Sequence, residues 1–249
     1  MSKLNYKKIL LKKNKEPITC LTAYSRPVAK ILDGLVDLIL IGDSVGTTIY
    51  GMKNTRSVNL EIIKNHGRSV VKNTKKSMTI VDMPYNTYRN KKEALKNALT
   101  ILKFTKANYI KIETDKKNVD IVKYLSKNKI KVVSHIGVMP QKFSDFSKIK
   151  SVGKNRTEIN SLINLALELE QCGSKFIVLE CISAKTSKII TEKLSIPTIG
   201  IGSSKYCDGQ VLVIDDLLNI SSKNMKPKFV KNFTNLEKHI IGAVNKFVK

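Results

Sequence analysis

Leu38-Ile39-Leu40-Ile41-Gly42-Asp43 decides the fold: four consecutive apolar residues, too few for a helix, closed by a glycine and a carboxylate. The pattern recurs at Thr79-Ile80-Val81-Asp82, Tyr109-Ile110-Lys111-Ile112-Glu113 and Phe176-Ile177-Val178-Leu179-Glu180, and a fifth run, Lys131-Val132-Val133-Ser134-His135, ends in histidine. Short β-branched runs separated by helical stretches read as parallel strands buried on both faces. In a (β/α)8 barrel every strand ends at the same mouth, so residues far apart in sequence meet there. Asp43, Asp82, Glu113, Glu180 and His135 then make a donor set suited to a divalent metal with a general base beside it.

Each member alone has a plainer reading. An Asp after a strand is commonly a helix N-cap or turn former. Asp43 before Ser44 can cap the next segment, and Asp82, two residues before Pro84, can simply end its strand. Glu is a poor N-cap, so Glu113 and Glu180 resist this explanation. Repetition at one register on successive strands counts against it for the set. A histidine at a strand end, such as His135, is as often a satisfied polar residue as a functional one. Lys111 lies between two apolar neighbours that face the opposite way, which sets it apart from a solvated lysine. His66 and His239 fall on helices as surface or interface residues, and Asp208 reads as a turn residue.

Residues 1–16 form a basic lead-in with a short helix; strand one spans 17–23 and a helix follows over 26–32. A Gly/Thr loop runs from Asp43 to Ser57, and Asn59 caps a helix to Asn73. Ala94, Leu95, Ala98, Leu99 and Leu102 have helical spacing within 91–106. Helices over 119–126, 157–172 and 184–194 follow strands four, five and six, with Gly173 closing the second of these. A long polar loop precedes Asn155, and loops of that length at a barrel mouth are often functional. Strand seven spans 198–201, strand eight 210–214 and a terminal helix 235–248. Eight strands alternating with helices predict a closed barrel as a single domain over residues 1–249, with a lead-in and a C-terminal helix. Neither GxGxxG nor GxxxxGK[ST] follows a strand.

Composition narrows the function. The 249 residues fit one barrel of about 250. The chain has no 18-residue apolar run, and Met1 to Lys15 lacks the apolar core of a signal peptide, so no membrane is expected. Cys20, Cys172, Cys181 and Cys207 show no pairing pattern, which points to a reducing cytoplasm. The net charge of +25 invites a nucleic-acid reading. Only Arg26, Arg56, Arg68, Arg89 and Arg156 are arginines, aromatics are 6% and the lysines scatter over nearly every helix. Base readers rely on Arg forks and aromatic platforms, so no specific nucleic-acid partner is expected.

The chain resembles the ketopantoate hydroxymethyltransferase family. The resemblance rests on Thr19-Cys20-Leu21-Thr22-Ala23-Tyr24, on Val36 to Gly46 with Gly42-Asp43-Ser44, and on Val81-Asp82-Met83-Pro84. It continues through Lys111-Ile112-Glu113, His135-Ile136-Gly137 with Pro140-Gln141, Val178-Leu179-Glu180-Cys181 and Ile196 to Gly202. Cys207-Asp208-Gly209-Gln210 and Pro227-Lys228-Phe229-Val230-Lys231 complete it. These segments fall in order and cover residues 17 to 233.

The resemblance implies a phosphoenolpyruvate/pyruvate-type (β/α)8 barrel that binds one Mg²⁺ per subunit. Its 2-oxo acid substrate would be 3-methyl-2-oxobutanoate, and 5,10-methylenetetrahydrofolate would donate the hydroxymethyl carbon. Asp43, Asp82 and Glu113 would be the metal ligands, their carboxyls approaching one point. Asp43, Ser44, Asp82, Lys111 and His135 would contact the substrate. Glu180 would remove the proton that gives the enolate, and the assembly would be a homodecamer of two stacked pentamers.

Four positions depart from the family pattern. Thr114-Asp115 stand where a glycine pair follows the Glu, and Ser25 where an Asp follows the Tyr. Lys106-Ala107 replace Gly-Ala, and Leu218-Asn219 replace a glycine. All lie outside the implied site and bear on loop geometry and folate affinity. Two rivals remain: another Mg²⁺-dependent 2-oxo acid barrel enzyme of the lyase type, which a catalytic Cys on a mouth loop would favour, and a charge-driven scaffold.

Overall fold

The computed structural model describes residues 4–145, 149–220, 229–231 and 233–249. Its eight strands are β1 (Ile18–Thr22), β2 (Leu38–Ile41), β3 (Met78–Asp82), β4 (Tyr109–Glu113), β5 (Val132–Gly137), β6 (Phe176–Glu180), β7 (Thr198–Ile201) and β8 (Gly209–Leu212). All neighbours are parallel, and β8 pairs with β1 to close the barrel in sequence order. Six of the seven connections between successive strands carry a helical crossover: α2 (Arg26–Leu32), α4 (Leu60–Val71), α5 (Lys91–Thr105), α6 (Val119–Lys127), α7 (Arg156–Gln171) and α8 (Ala184–Lys193); residues 202–208 join β7 to β8 without a helix. Asparagines set several starts. Asn59, Asn90 and Asn155 accept the N–H of Ile62, Glu93 and Glu158 on their side-chain oxygens, satisfying amides that a helix start leaves open.

Alternation along each strand separates two cores. Inward side chains, among them Leu40, Ile80, Tyr109, Val133, Phe176 and Val178, fill the barrel. Outward ones, including Ile41, Val81, Ile112, Ile136 and Leu179, pack beneath the helices. A fully buried aliphatic or aromatic side chain contributes roughly 1.5–3 kcal/mol relative to exposure. The short helix expected in the lead-in is α1 (Tyr6–Leu10), which plugs the floor. Its Ile9 is buried, and Tyr6 meets Phe176 edge-on at 5.5 Å. Lys12 pairs with Asp37 at 2.7 Å and Lys13 with Asp208 at 2.9 Å. Asp208 is therefore more than a turn residue: it is buried, pairs with the lead-in and accepts the Thr198 N–H at 2.8 Å.

Other departures from the sequence reading are local. The Gly/Thr loop contains α3 (Val45–Thr48) and a 3-10 turn at Thr55–Ser57. The helix expected from Thr157 starts one residue earlier, because Asn155 is its cap. Strand eight stops at Leu212, and Ile214 opens α9 (Ile214–Leu218). His66 is half-buried, its Nδ1 2.6 Å from the Tyr24 carbonyl oxygen. Residues 1–3 of the lead-in, 146–148 of the long loop and Pro227-Lys228 of the last motif lie outside the described residues. The terminal helix α10 (Leu236–Val248) buries none of its side chains. Among the described residues no helix is long and apolar enough to cross a membrane.

Candidate active site at the barrel mouth

On four neighbouring strands, β3 to β6, the inward row changes from apolar to ionisable at the C-terminal end. On β3 Ile80 is followed two residues later by Asp82, and on β4 Tyr109 gives way to Lys111 and Glu113. On β5 Val133 precedes His135, and on β6 Val178 precedes Glu180. Register aligns them, pairing Asp82 with Lys111 and Glu113 with His135. Asp43 reaches the same place from beyond β2: the strand ends at Ile41, and Gly42-Asp43 form the turn into α3. The Asp43 backbone N–H donates to Asp82 Oδ2 at 3.0 Å.

All seven residues singled out in the sequence therefore lie at one end of the barrel. Lys111 Nζ stands 2.8 Å from Asp82 Oδ1, both side chains buried. His135 Nε2 lies 3.1 Å from Glu180 Oε2, and its Nδ1 3.9 Å from Glu113 Oε1. Ser44 Oγ shares a 2.7 Å hydrogen bond with the Tyr24 hydroxyl. Glu180 keeps 16% side-chain exposure, whereas Asp82, Glu113 and His135 are almost wholly enclosed. Sequence reasoning assigned no role to Gln141, which donates from Nε2 to Asp43 Oδ2 at 2.8 Å and from its backbone to Glu113 Oε1 at 3.2 Å. Its signal was a polar amide after Pro140 in a loop leaving a mouth strand. Tyr88, which donates to Gln141 Oε1 at 2.5 Å, gave no such signal.

Charge is unevenly matched here. Burial and then the Asp82 carboxylate push the Asp43 carboxyl up to about 7, against the pull of Lys111. Burial, then Asp43, holds Glu113 well above the usual carboxylate range. For Lys111, burial works against the ammonium, but Asp82 and Asp43 outweigh it and keep the side chain protonated. One lysine thus faces four acids in a low-dielectric pocket, an arrangement that costs free energy until more positive charge arrives.

The expected convergence of three carboxyls on one point takes a different form. Lys111 and Gln141 stand among the acids, and among the described residues no three Asp, Glu, His or Cys side chains are drawn together around a metal position. The donors nevertheless fit a hard divalent cation. Glu113 Oε2 is buried without a hydrogen-bond partner, and Asp82 Oδ1 has only its ion pair. Mg²⁺ takes oxygen ligands of this kind while retaining water or substrate in its shell. Asp43, Asp82 and Glu113 would supply the carboxylate oxygens for such an ion.

Two backbone features set the base candidate in place. Gly137 has φ +98°, and a Cβ added there would sit 2.3 Å from the Glu180 carbonyl oxygen. Cys181, just after Glu180, adopts the left-handed region at φ 49°, which turns the chain sharply off β6.

Comparison with known proteins gives consistent results. The family model for ketopantoate hydroxymethyltransferase matches residues 3–249. The 3-methyl-2-oxobutanoate hydroxymethyltransferase of Pelagibacter ubique is 47% identical over 238 residues, covering 96% of this chain and 91% of the relative. That of Anaplasma marginale is 44% identical over 246 residues, covering 99% and 88%. Among solved structures, 2,3-dimethylmalate lyase, a PEP mutase/isocitrate lyase superfamily member, matches with TM-score 0.64 at 10% identity, over 96% of this chain and 85% of that one. Phosphonopyruvate hydrolase in complex with oxalate and Mg²⁺ matches with TM-score 0.62 at 9% identity, over 99% and 85%. At such identities these two establish the barrel fold alone.

Proposed function

The chain belongs to the ketopantoate hydroxymethyltransferase family, and from that membership we propose that it transfers a hydroxymethyl group from 5,10-methylenetetrahydrofolate to 3-methyl-2-oxobutanoate. The product is 2-dehydropantoate (ketopantoate), an intermediate of pantothenate and coenzyme A synthesis. The observation that carries this is the inward row Asp82, Lys111, Glu113, His135 and Glu180 at one mouth, with Asp43 and Ser44 beside it. Atoms balance when the substrate loses its carbon 3 proton and that carbon bonds to the methylene carbon of the folate. Water supplies the hydroxyl, and tetrahydrofolate leaves.

Asp43, Asp82 and Glu113 would hold the Mg²⁺. When bound, it polarises the keto group and acidifies the hydrogen on carbon 3. Glu180, the most exposed of the four mouth carboxylates, is the base that takes this proton. His135, 3.1 Å from it, lines the pocket and limits where the carboxylate can point. Lys111 supplies positive charge toward the substrate carboxylate, and Ser44, held by Tyr24, presents its hydroxyl on the adjacent turn.

The rival lyase reading has less support. Cys181 is on a mouth loop, but burial and then Glu180 push its thiol up to about 11, far from the thiolate that nucleophilic or base chemistry near neutrality needs. The lyase likeness is also a likeness of fold at about 10% identity. The test is product formation from the 2-oxo acid and the folate donor, dependent on Mg²⁺ and abolished by chelation. Turnover that survives complete chelation would sink the metal assignment, and no product under any condition would sink the function.

Two further expectations belong to this reading. The four cysteines are free thiols, in keeping with a cytoplasmic setting. The assembly is a homo-oligomer, a decamer by family resemblance. Support comes from α10, whose Ile240, Ile241, Val244 and Phe247 are all exposed, Phe247 at 91%. Apolar residues on one terminal helix of this kind mark an association surface.

A further inference from the structure

Gln141 is 3% exposed and sits in the 3-10 turn Pro140–Lys142, where the loop after β5 crosses the mouth. Its side-chain amide is fully engaged. Nε2 donates to Asp43 Oδ2 at 2.8 Å and to the Met83 carbonyl at 3.0 Å, while Oε1 accepts the Tyr88 hydroxyl. Its own backbone N–H donates to Glu113 Oε1 at 3.2 Å. The Met83 carbonyl only accepts, as does Asp43 Oδ2 when the carboxyl is ionised, so a flipped amide would then aim oxygen at oxygen on both. The amide has one satisfactory orientation, and the Tyr88 hydroxyl favours it by occupying Oε1.

We propose that Gln141, locked by Tyr88, is a positioning residue that fixes Asp43 and Glu113 relative to each other so that both carboxylates are set for a divalent cation. One residue thereby joins the turn after β2, the end of β4 and the loop after β5. This rests on the metal reading above and assigns roles to two residues that take no part in it. Partners of ligating carboxylates orient them, and their loss weakens metal binding or activity by about 10–100-fold.

The test is Mg²⁺ affinity measured by calorimetry on the substrate-free protein, for the parent, Gln141→Met, Tyr88→Phe and the double variant. Gln141→Met keeps the length of the side chain and removes its donors. Tyr88→Phe deletes one hydroxyl from a partly exposed ring and leaves the packing, so it remains informative if Gln141→Met folds poorly. Gln141→Met should weaken Mg²⁺ by about 10–100-fold, and Tyr88→Phe by less, with its melting temperature in chelator close to the parent's. Because Tyr88 acts through Gln141, the double variant should bind no worse than Gln141→Met alone, a non-additivity that a merely structural role would not produce. Parent-like affinity in both single variants, or fully additive losses, would overturn the positioning role while leaving the metal site intact. A parent protein that binds no Mg²⁺ would overturn the metal reading and this role with it.

Discussion

His135 Nε2 lies 3.1 Å from Glu180 Oε2, bringing an imidazole on β5 against the carboxylate at the end of β6. The closeness depends on Gly137, two residues beyond His135, which lets the β5 backbone lie directly against the Glu180 carbonyl. Val138 continues the contact by donating its N–H to that carbonyl at 2.9 Å. The position of the proposed base is therefore set by backbone fit as much as by its own side chain.

Gly137→Ala should damage turnover more than folding. The new Cβ would sit 2.3 Å from the Glu180 oxygen at a backbone angle of φ +98°. The strain should cost about 1–3 kcal/mol of stability and displace Glu180, lowering kcat by about 10²-fold, the scale on which small misplacements act. Thermal melting and steady-state kinetics on one preparation separate the two effects. A variant with parental kcat and only a lowered Tm would show that the Glu180 backbone position is not critical.

Stability of the cation-free protein should fall as pH rises through neutrality. The Asp43 carboxyl, at about 7 in the fold against an ordinary 3.8, keeps a proton between those values that the unfolded chain has released. Its contribution is fully present below the unfolded value and is lost as pH rises through about 7. Glu113, also raised, acts in the same sense. In chelator, the Tm difference between Asp43→Asn and the parent should widen in favour of the variant from about pH 5 to about pH 8. A difference that stays constant over that range would contradict the environment assigned to Asp43.

The exposed residues of α10 should matter to assembly and not to the barrel. Ile241→Lys with Val244→Glu, both at half-exposed positions, should leave the barrel folded but reduce the particle mass seen by light scattering at ~150 mM salt, where surface charges are largely screened. A parent chain that is monomeric under those conditions would end the homo-oligomer proposal.

Much of this architecture was legible from period and register. Apolar runs ending in Asp82, Glu113 and Glu180 mark strand ends to the residue, because a strand buried on both faces cannot hide its length. Lys111 was readable for the same reason: flanked by Ile110 and Ile112, it had to face inward with Glu113. Connections were harder. The α3 turn and the early start of α7 depend on local capping, and Asn155 takes the cap position although Thr157 is an equally ordinary candidate. The buried Asp208–Lys13 pair spans 195 positions, and no local pattern announces a partner so distant. Gln141 and Tyr88 escaped because an amide and a phenol acquire meaning only from what surrounds them in the folded chain.

The most direct test of the central claim, that Glu180 removes the carbon 3 proton of a 2-oxo acid, is hydrogen exchange in deuterated water. The parent, Mg²⁺ and 3-methyl-2-oxobutanoate are incubated without any folate, and deuterium at carbon 3 is followed by proton NMR. The parent should catalyse exchange. Glu180→Gln, which keeps size and loses the basic oxygen, should be slower by about 10²–10⁴-fold while retaining its fold and Mg²⁺ affinity. Exchange by folded Glu180→Gln at the parental rate would contradict the assignment and place the base elsewhere.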